Sequence, residues 1–168
     1  LLLAHKTVTN PKISDKALGD DYVYEVSWEG EILWDWLASD HVDEFGLSED
    51  MRNIIHRAER FNEEHGSYEW LHINAMAYVG PNQWYYDGDQ RLTPENVMLS
   101  IRRLNVIGIV DRSGAVVWRM GPDYRLSEAW SDIGQIIGQH HPHIIPKGLP
   151  GAGNMLVFDN GGESGYGF

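Results

Sequence analysis

The residues best able to do chemistry crowd into one short run, "IGQHHPHIIP" at 137–146. His140, His141 and His143 fall within four positions there, in a chain with 8 histidines in all. A neutral imidazole can attack an electrophile, move a proton or ligate a metal. Three readings stand side by side. His141 and His143 alternate along a strand and would share a face, with His140 on the other, which is open to a transition metal, although no HExxH-type spacing accompanies them. Plain polarity at the start of a strand would give the same letters with no chemistry. The third reading makes one imidazole a nucleophile that takes up a group, holds it and yields it to an acceptor, with cations placed where charge develops.

That last reading needs helpers, and two other runs offer them. "SIRRLN" supplies Arg102, Arg103 and Asn105, and "WLHIN" supplies His72 and Asn74. A cluster of imidazole and guanidinium suits an anion such as sulfate, sulfonate, phosphate or carboxylate. "DNGG" at 159–162 reads as a tight turn, with calcium ligation as the alternative. Trp84, Tyr85 and Tyr86 could line an aryl site or plug a groove between sheets. The chain has no cysteine, so thiolate and disulfide chemistry are excluded, and no P-loop, GxGxxG or GxSxG pattern occurs.

The elements that must position these groups repeat. Gly30, Ile32, Leu33 and Trp34 recur as Gly114, Val116, Val117 and Trp118, 84 positions later. Each set follows a β-rich run, "YVYEVSW" or "NVIGIVDRSG", so each reads as a hairpin with its turn at Glu-Gly or Ser-Gly. Trp28, Trp34, Trp36 and Trp118 are expected in the core of these hairpins. "WLHINAMAYV" followed by "NVMLSIRRLN" is echoed by "GQHHPHIIP" followed by "NMLVFDNGG". The order is hairpin, His-led strand, strand, then the same again. Repeating antiparallel four-strand units point to an all-β β-propeller, of which this length supplies about three blades, although a sandwich of antiparallel strands would give similar alternation. His72 and His140 open matching strands of consecutive units, so the repeat predicts that they converge at one end of a central channel. The exception to the β rhythm is 47–66, where Leu47, Met51, Ile54, Ile55, Ala58 and Phe61 form a helical stripe, Ser48 suits the N-cap and Gly66 the stop; one inserted helix is expected near 48–64.

Composition narrows the partners. With 13 basic and 25 acidic residues the net charge is −12, which argues against nucleic acid and anionic membranes. The acid is concentrated before residue 70 and arginines follow later, so a local cationic site inside an acidic protein is compatible with the total. No apolar run approaches a membrane span. The start "LLLAHK" has no Met and no signal-peptide layout, and both ends read as cuts through a longer chain, so that 1–168 is expected to be a fragment of one propeller domain.

Four runs taken together, "LWDWLASDH", "WLHINAMAYV", "SIRRLNVIGIVDRSGAVVWRMG" and "GQHHPHIIP…GNMLVFDNGG", resemble the aryl-sulfate sulfotransferase family, whose members need no nucleotide sulfate donor. The resemblance implies a six-bladed propeller and transfer of a sulfuryl group from a phenolic sulfate ester to a phenol by a ping-pong route through a sulfated histidine. It implies no cofactor and no metal, small-molecule donor and acceptor as partners, and a periplasmic or exported setting. It places the nucleophile at His140 and a second active-site histidine at His72. Arg102 matches the family's arginine, whereas Arg103 stands where a histidine is expected; an arginine binds sulfuryl oxygens but cannot act as an acid or base near neutral pH. A further family arginine matches Arg119, and Asn105, Asn74 and His141, taken from the polar runs themselves, complete the set expected to contact substrate.

Overall fold

The computed structural model describes residues 1–57 and 67–161. They form two compact units, divided between His72 and Ile73. In the first unit, β1 (Leu2–Val8) pairs antiparallel with β2 (Leu18–Val26). The other edge of β2 is shared: β3 (Ile32–Leu37) runs antiparallel along Tyr22–Val26, and the short β4 (Tyr68–Glu69) runs parallel along Leu18–Gly19. β1 was not anticipated, since "LLLAHK" carries little alternation. Trp36, Phe45 and Trp70 are buried and form an aromatic file, with ring centroids 6.3 Å and 6.1 Å apart. Asp20 is buried beside them. Its carboxylate accepts from the Trp70 indole at 2.7 Å and from the Ser39 amide at 2.8 Å, which offsets the cost of removing it from water.

The expected helix is present as α1 (Glu49–Arg57), and Ser48 caps it by accepting from Met51 N at 3.2 Å. Ile54 on the predicted stripe is exposed, and no α1 residue is fully buried. Ala58, Phe61 and Gly66 lie outside the described residues.

In the second unit, β5 (Ile73–Tyr78), β6 (Val97–Ile101), β7 (Val106–Val110) and β8 (Val116–Met120) form an antiparallel meander in chain order. β6 and β7 are buried throughout, which is why "VMLSI" and "VIGIV" read as continuous apolar runs rather than as alternation. Met98, Ile107 and Ile109 form the centre of this unit's core, with Tyr124 and Ile136 packed on them. β9 (His140–Ile144) and β10 (Met155–Phe158) make a separate antiparallel pair with an irregular register between Leu156 and Phe158. The 80–96 connection contains α2 (Gln83–Tyr86), capped by Asn82, and α3 (Glu128–Ile133) is capped by Ser127.

Both predicted hairpins are present, and their turns are built alike. Ser27 N donates to Glu31 O at 2.8 Å and Gly30 N to Ser27 O at 3.1 Å; Asp111 N donates to Ala115 O at 2.9 Å and Gly114 N to Asp111 O at 3.0 Å. Gly30 and Gly114 take φ of 91° and 95°, the left-handed position that closes a three-residue turn and that a side chain would strain. Trp28 does not join the core as expected: it lies inside the first turn, off either sheet face, and is fully exposed.

The expected order of hairpin, His-led strand and strand is therefore present, and the chain is mostly antiparallel sheet. Among the described residues one sheet, β5 to β8, is a complete four-stranded meander of the kind that makes a propeller blade. The first sheet departs from the repeat because β4 joins it in parallel.

Candidate active site

The site grows from the β6–β7 connection. After Ile101 the chain makes a single 3-10 turn, Arg102–Leu104, and reverses at Asn105 with φ 52° and ψ 42°. Asparagine tolerates this left-handed conformation better than most residues. The turn holds Arg102 and Arg103, both half-buried, at one corner of the sheet.

The segment carrying the histidines is held residue by residue, by Asp159 after β10, by Asn74 and Ser100 on β5 and β6, and by the corner itself. Ile137 N donates to Asp159 Oδ1 at 3.0 Å, and Gly138 N donates to Asn105 Oδ1 at 2.9 Å. The Gln139 carbonyl accepts from Asn74 Nδ2 at 2.8 Å and Ser100 Oγ at 3.1 Å. The Gln139 side chain is wholly buried, and its amide nitrogen donates to Ile101 O at 3.1 Å and Val106 O at 2.9 Å. Asp159 also accepts from Gly161 N at 2.8 Å, the Asx turn expected of "DNG".

His140 follows, half-buried, with its Nδ1 3.0 Å from Gly138 O. A carbonyl only accepts, so the neutral ring carries its proton on Nδ1 and leaves a bare lone pair on Nε2. The Asn160 amide stands 3.3 Å from the same Nδ1. One nitrogen cannot donate to Gly138 and accept from an N–H, so the tautomer is assigned from the shorter Gly138 contact, an assignment that requires the Asn160 amide in its flipped orientation.

The other candidates divide. His141 and His143 share a side as the alternation predicted, with ring centroids 4.7 Å apart, and His143 Nδ1 lies 3.0 Å from His141 O. Among the described residues no group of three or more His, Asp or Glu is gathered as a metal would need. Asn74 and Asn105 spend side-chain atoms on holding Gln139 and Gly138. Arg119 on β8 turns its guanidinium onto Gly121 O at the end of its own strand. His72 belongs to the first unit, where its Nδ1 is 2.8 Å from Glu69 Oε1. A carboxylate there fixes the ring's tautomer and orientation, as it does for the histidine of a catalytic triad.

Backbone strain marks the same residues. Among the described residues, the non-glycine residues with positive φ are His72 at 57°, Asn105 at 52° and His141 at 49°. Such conformations cost about 1–3 kcal/mol each and gather at functional sites. Sequence reasoning missed Gln139, Gly138 and Glu69. Ser100 did leave a signal, as the polar residue inside an otherwise apolar strand.

A separate cavity of about 330 Å³ is lined by Trp84, Trp118, Ile109, Ile144 and Met155 among others. Trp84 is fixed there by donating from its indole to Gly153 O at 2.6 Å. Trp84, one of the aromatics read as able to line an aryl site, is part of this lining, whereas none of the candidate histidines, Asn74, Asn105, Arg102, Arg103 or Arg119 is.

The arrangement is that of an anchored imidazole beside a cationic turn. The model of the arylsulfotransferase (ASST) family matches residues 1–167, and the chain belongs to that family. No curated protein and no solved structure matches it.

Proposed function

We propose that this chain carries the reacting groups of an aryl-sulfate sulfotransferase that works through a sulfated histidine. His140 Nε2 attacks the sulfur of a phenolic sulfate ester, an N–S bond forms, the S–O bond to the aryl group breaks, and the phenolate leaves. In the second half-reaction an acceptor phenol attacks the same sulfur, the N–S bond breaks, the phenolic proton passes to a base, and the neutral imidazole returns. His72, oriented by Glu69, is that base, because Arg103 cannot serve as one. Arg102 and Arg103 bind the sulfuryl oxygens as charge spreads over them, with Asn74, Asn105, His141 and Arg119 kept as candidate substrate contacts. The repeat in the sequence, where both residues open matching runs, is what supports giving His72 and His140 parts in the same reaction. The family resemblance suggests an exported or periplasmic setting; no described helix is long and apolar enough to cross a membrane.

The observation that carries the reading is the Nδ1 contact of His140 with Gly138 O, which leaves Nε2 free to attack. The test is incubation with a chromogenic aryl sulfate and a phenol. Aryl product is expected with a sulfuryl adduct on His140, and His140→Ala abolishes both. No product from the wild type, or full turnover by His140→Ala, rejects the proposal. The arginine at 103 favours one rival, a propeller that binds aryl anions without reacting; binding with no histidine adduct by mass spectrometry would establish it.

A further inference from the structure

We infer that Gln139 is the positioning residue that sets His140 against the Arg102–Asn105 turn. The inference deepens the sulfotransferase reading and rests on it.

A glutamine at zero exposure is an expensive choice for a core position unless its amide is bonded. Here both donors are spent on backbone carbonyls, Ile101 O and Val106 O, the last before and the first after the turn that presents Arg102 and Arg103. The same residue's own carbonyl is gripped by Asn74 on β5 and Ser100 on β6. One residue thus staples the two ends of the cationic turn together and bonds the segment leading into His140 to them. Gly138, on its other side, reaches the turn through Asn105 and receives the His140 ring.

The amide acts purely as a double donor. Its oxygen is buried and takes no partner among the described residues. That requirement is narrow. Methionine fills the same volume but donates nothing, so a role in packing alone would tolerate it. Glutamate would set one oxygen against both carbonyls and regains one donor only when protonated. Neither replacement touches substrate, so what each loses is placement: a misplacement of about 1 Å costs about 10²-fold in rate.

The test compares Gln139→Met, Gln139→Glu and Ser100→Ala with the wild type, using a chromogenic aryl sulfate and a phenol. Gln139→Met is expected to lose about 10- to 100-fold in kcat with KM within about threefold, while its thermal transition stays cooperative. Gln139→Glu is expected to be the poorest at neutral pH and to recover relative to the wild type as pH falls. Ser100→Ala, which removes one bond to the Gln139 carbonyl and leaves that of Asn74, is expected to fold and to lose about fivefold in kcat, the worth of one net hydrogen bond. Wild-type kcat in Gln139→Met, or in Ser100→Ala should Gln139→Met not fold, overturns the inference, as does a pH profile of Gln139→Glu parallel to the wild type. A wild type that forms no adduct on His140 rejects the sulfotransferase reading instead. The clamp is then read by nitrogen NMR of the His140 ring: loss of the single Nδ1–H tautomer in Gln139→Met upholds it, and an unchanged ring refutes it.

Discussion

Replacing Asn105 separates two things that one residue does. Its backbone sits at φ 52° and ψ 42°, and its Oδ1 accepts from the buried Gly138 N at 2.9 Å. Asn105→Gly accepts the left-handed backbone without steric cost but deletes the acceptor. An orphaned buried N–H costs about 1–3 kcal/mol, and the extra freedom of glycine in the unfolded chain adds about 0.4–1 kcal/mol. Asn105→Ala deletes the same acceptor and leaves a Cβ in a left-handed conformation that asparagine tolerates better than alanine, a penalty of about 1–2 kcal/mol. Glycine should therefore destabilise by about 2–3 kcal/mol and alanine by about 1 kcal/mol more. In urea unfolding followed by tryptophan fluorescence, with a slope near 2 kcal/mol/M, the two variants should differ by about 0.5 M in midpoint. Turnover should respond differently. Both variants release Gly138, whose carbonyl holds the His140 ring, so both should lose activity to a similar extent when assayed well below their transitions. A glycine variant with wild-type stability and turnover would refute the idea that this bond places the nucleophile. Glycine less stable than alanine would refute the strain argument.

Burial pushes the Asp20 carboxyl above its ordinary value of 3.8, against the hydrogen bonds from Ser39 and Trp70 that pull it down. Its folded value exceeds its unfolded one, so the stability it contributes is full below about 3.8 and is lost as pH rises through the folded value. The stability of wild type minus that of Asp20→Asn, from urea midpoints, should fall as pH rises out of the acid range; a difference that grows would show the opposite shift. Glu69→Ala should leave the first burst of aryl product intact and slow acceptor-dependent turnover by about tenfold, whereas Glu69→Gln, which can still accept from the ring, keeps most of it; equal loss of the burst would remove His72 from the second step. At Gly121, with φ of 83°, an added Cβ would stand 2.9 Å from the Tyr124 ring and against the Asn105 carbonyl oxygen. Gly121→Ala should cost about 3 kcal/mol and lower the thermal midpoint by about 6–12 °C; an unchanged midpoint would show that the β8 end has room to shift.

What the letters alone determined is what local spacing can encode. The Gly-x-aliphatic-aliphatic-Trp frame set both hairpins, because a turn needs its glycine at a fixed offset from the strand. The Ser48 cap and its apolar stripe set α1. The two His-led strands and the ASST signature followed from motif order. Trp28 shows the limit: its chemistry says core, but its place inside a turn denies it a sheet face. The bonds that hold the candidate residues were decided by tertiary structure. Asn74 and Asn105 read as substrate contacts and are found bonded to Gln139 and Gly138, and Gln139 itself carried no motif signal. A hydrogen bond between residues 33 to 65 positions apart leaves no period in the sequence. Only folding brings the Arg102–Asn105 turn under the segment that precedes His140, and only then does a carbonyl choose which ring nitrogen keeps its proton.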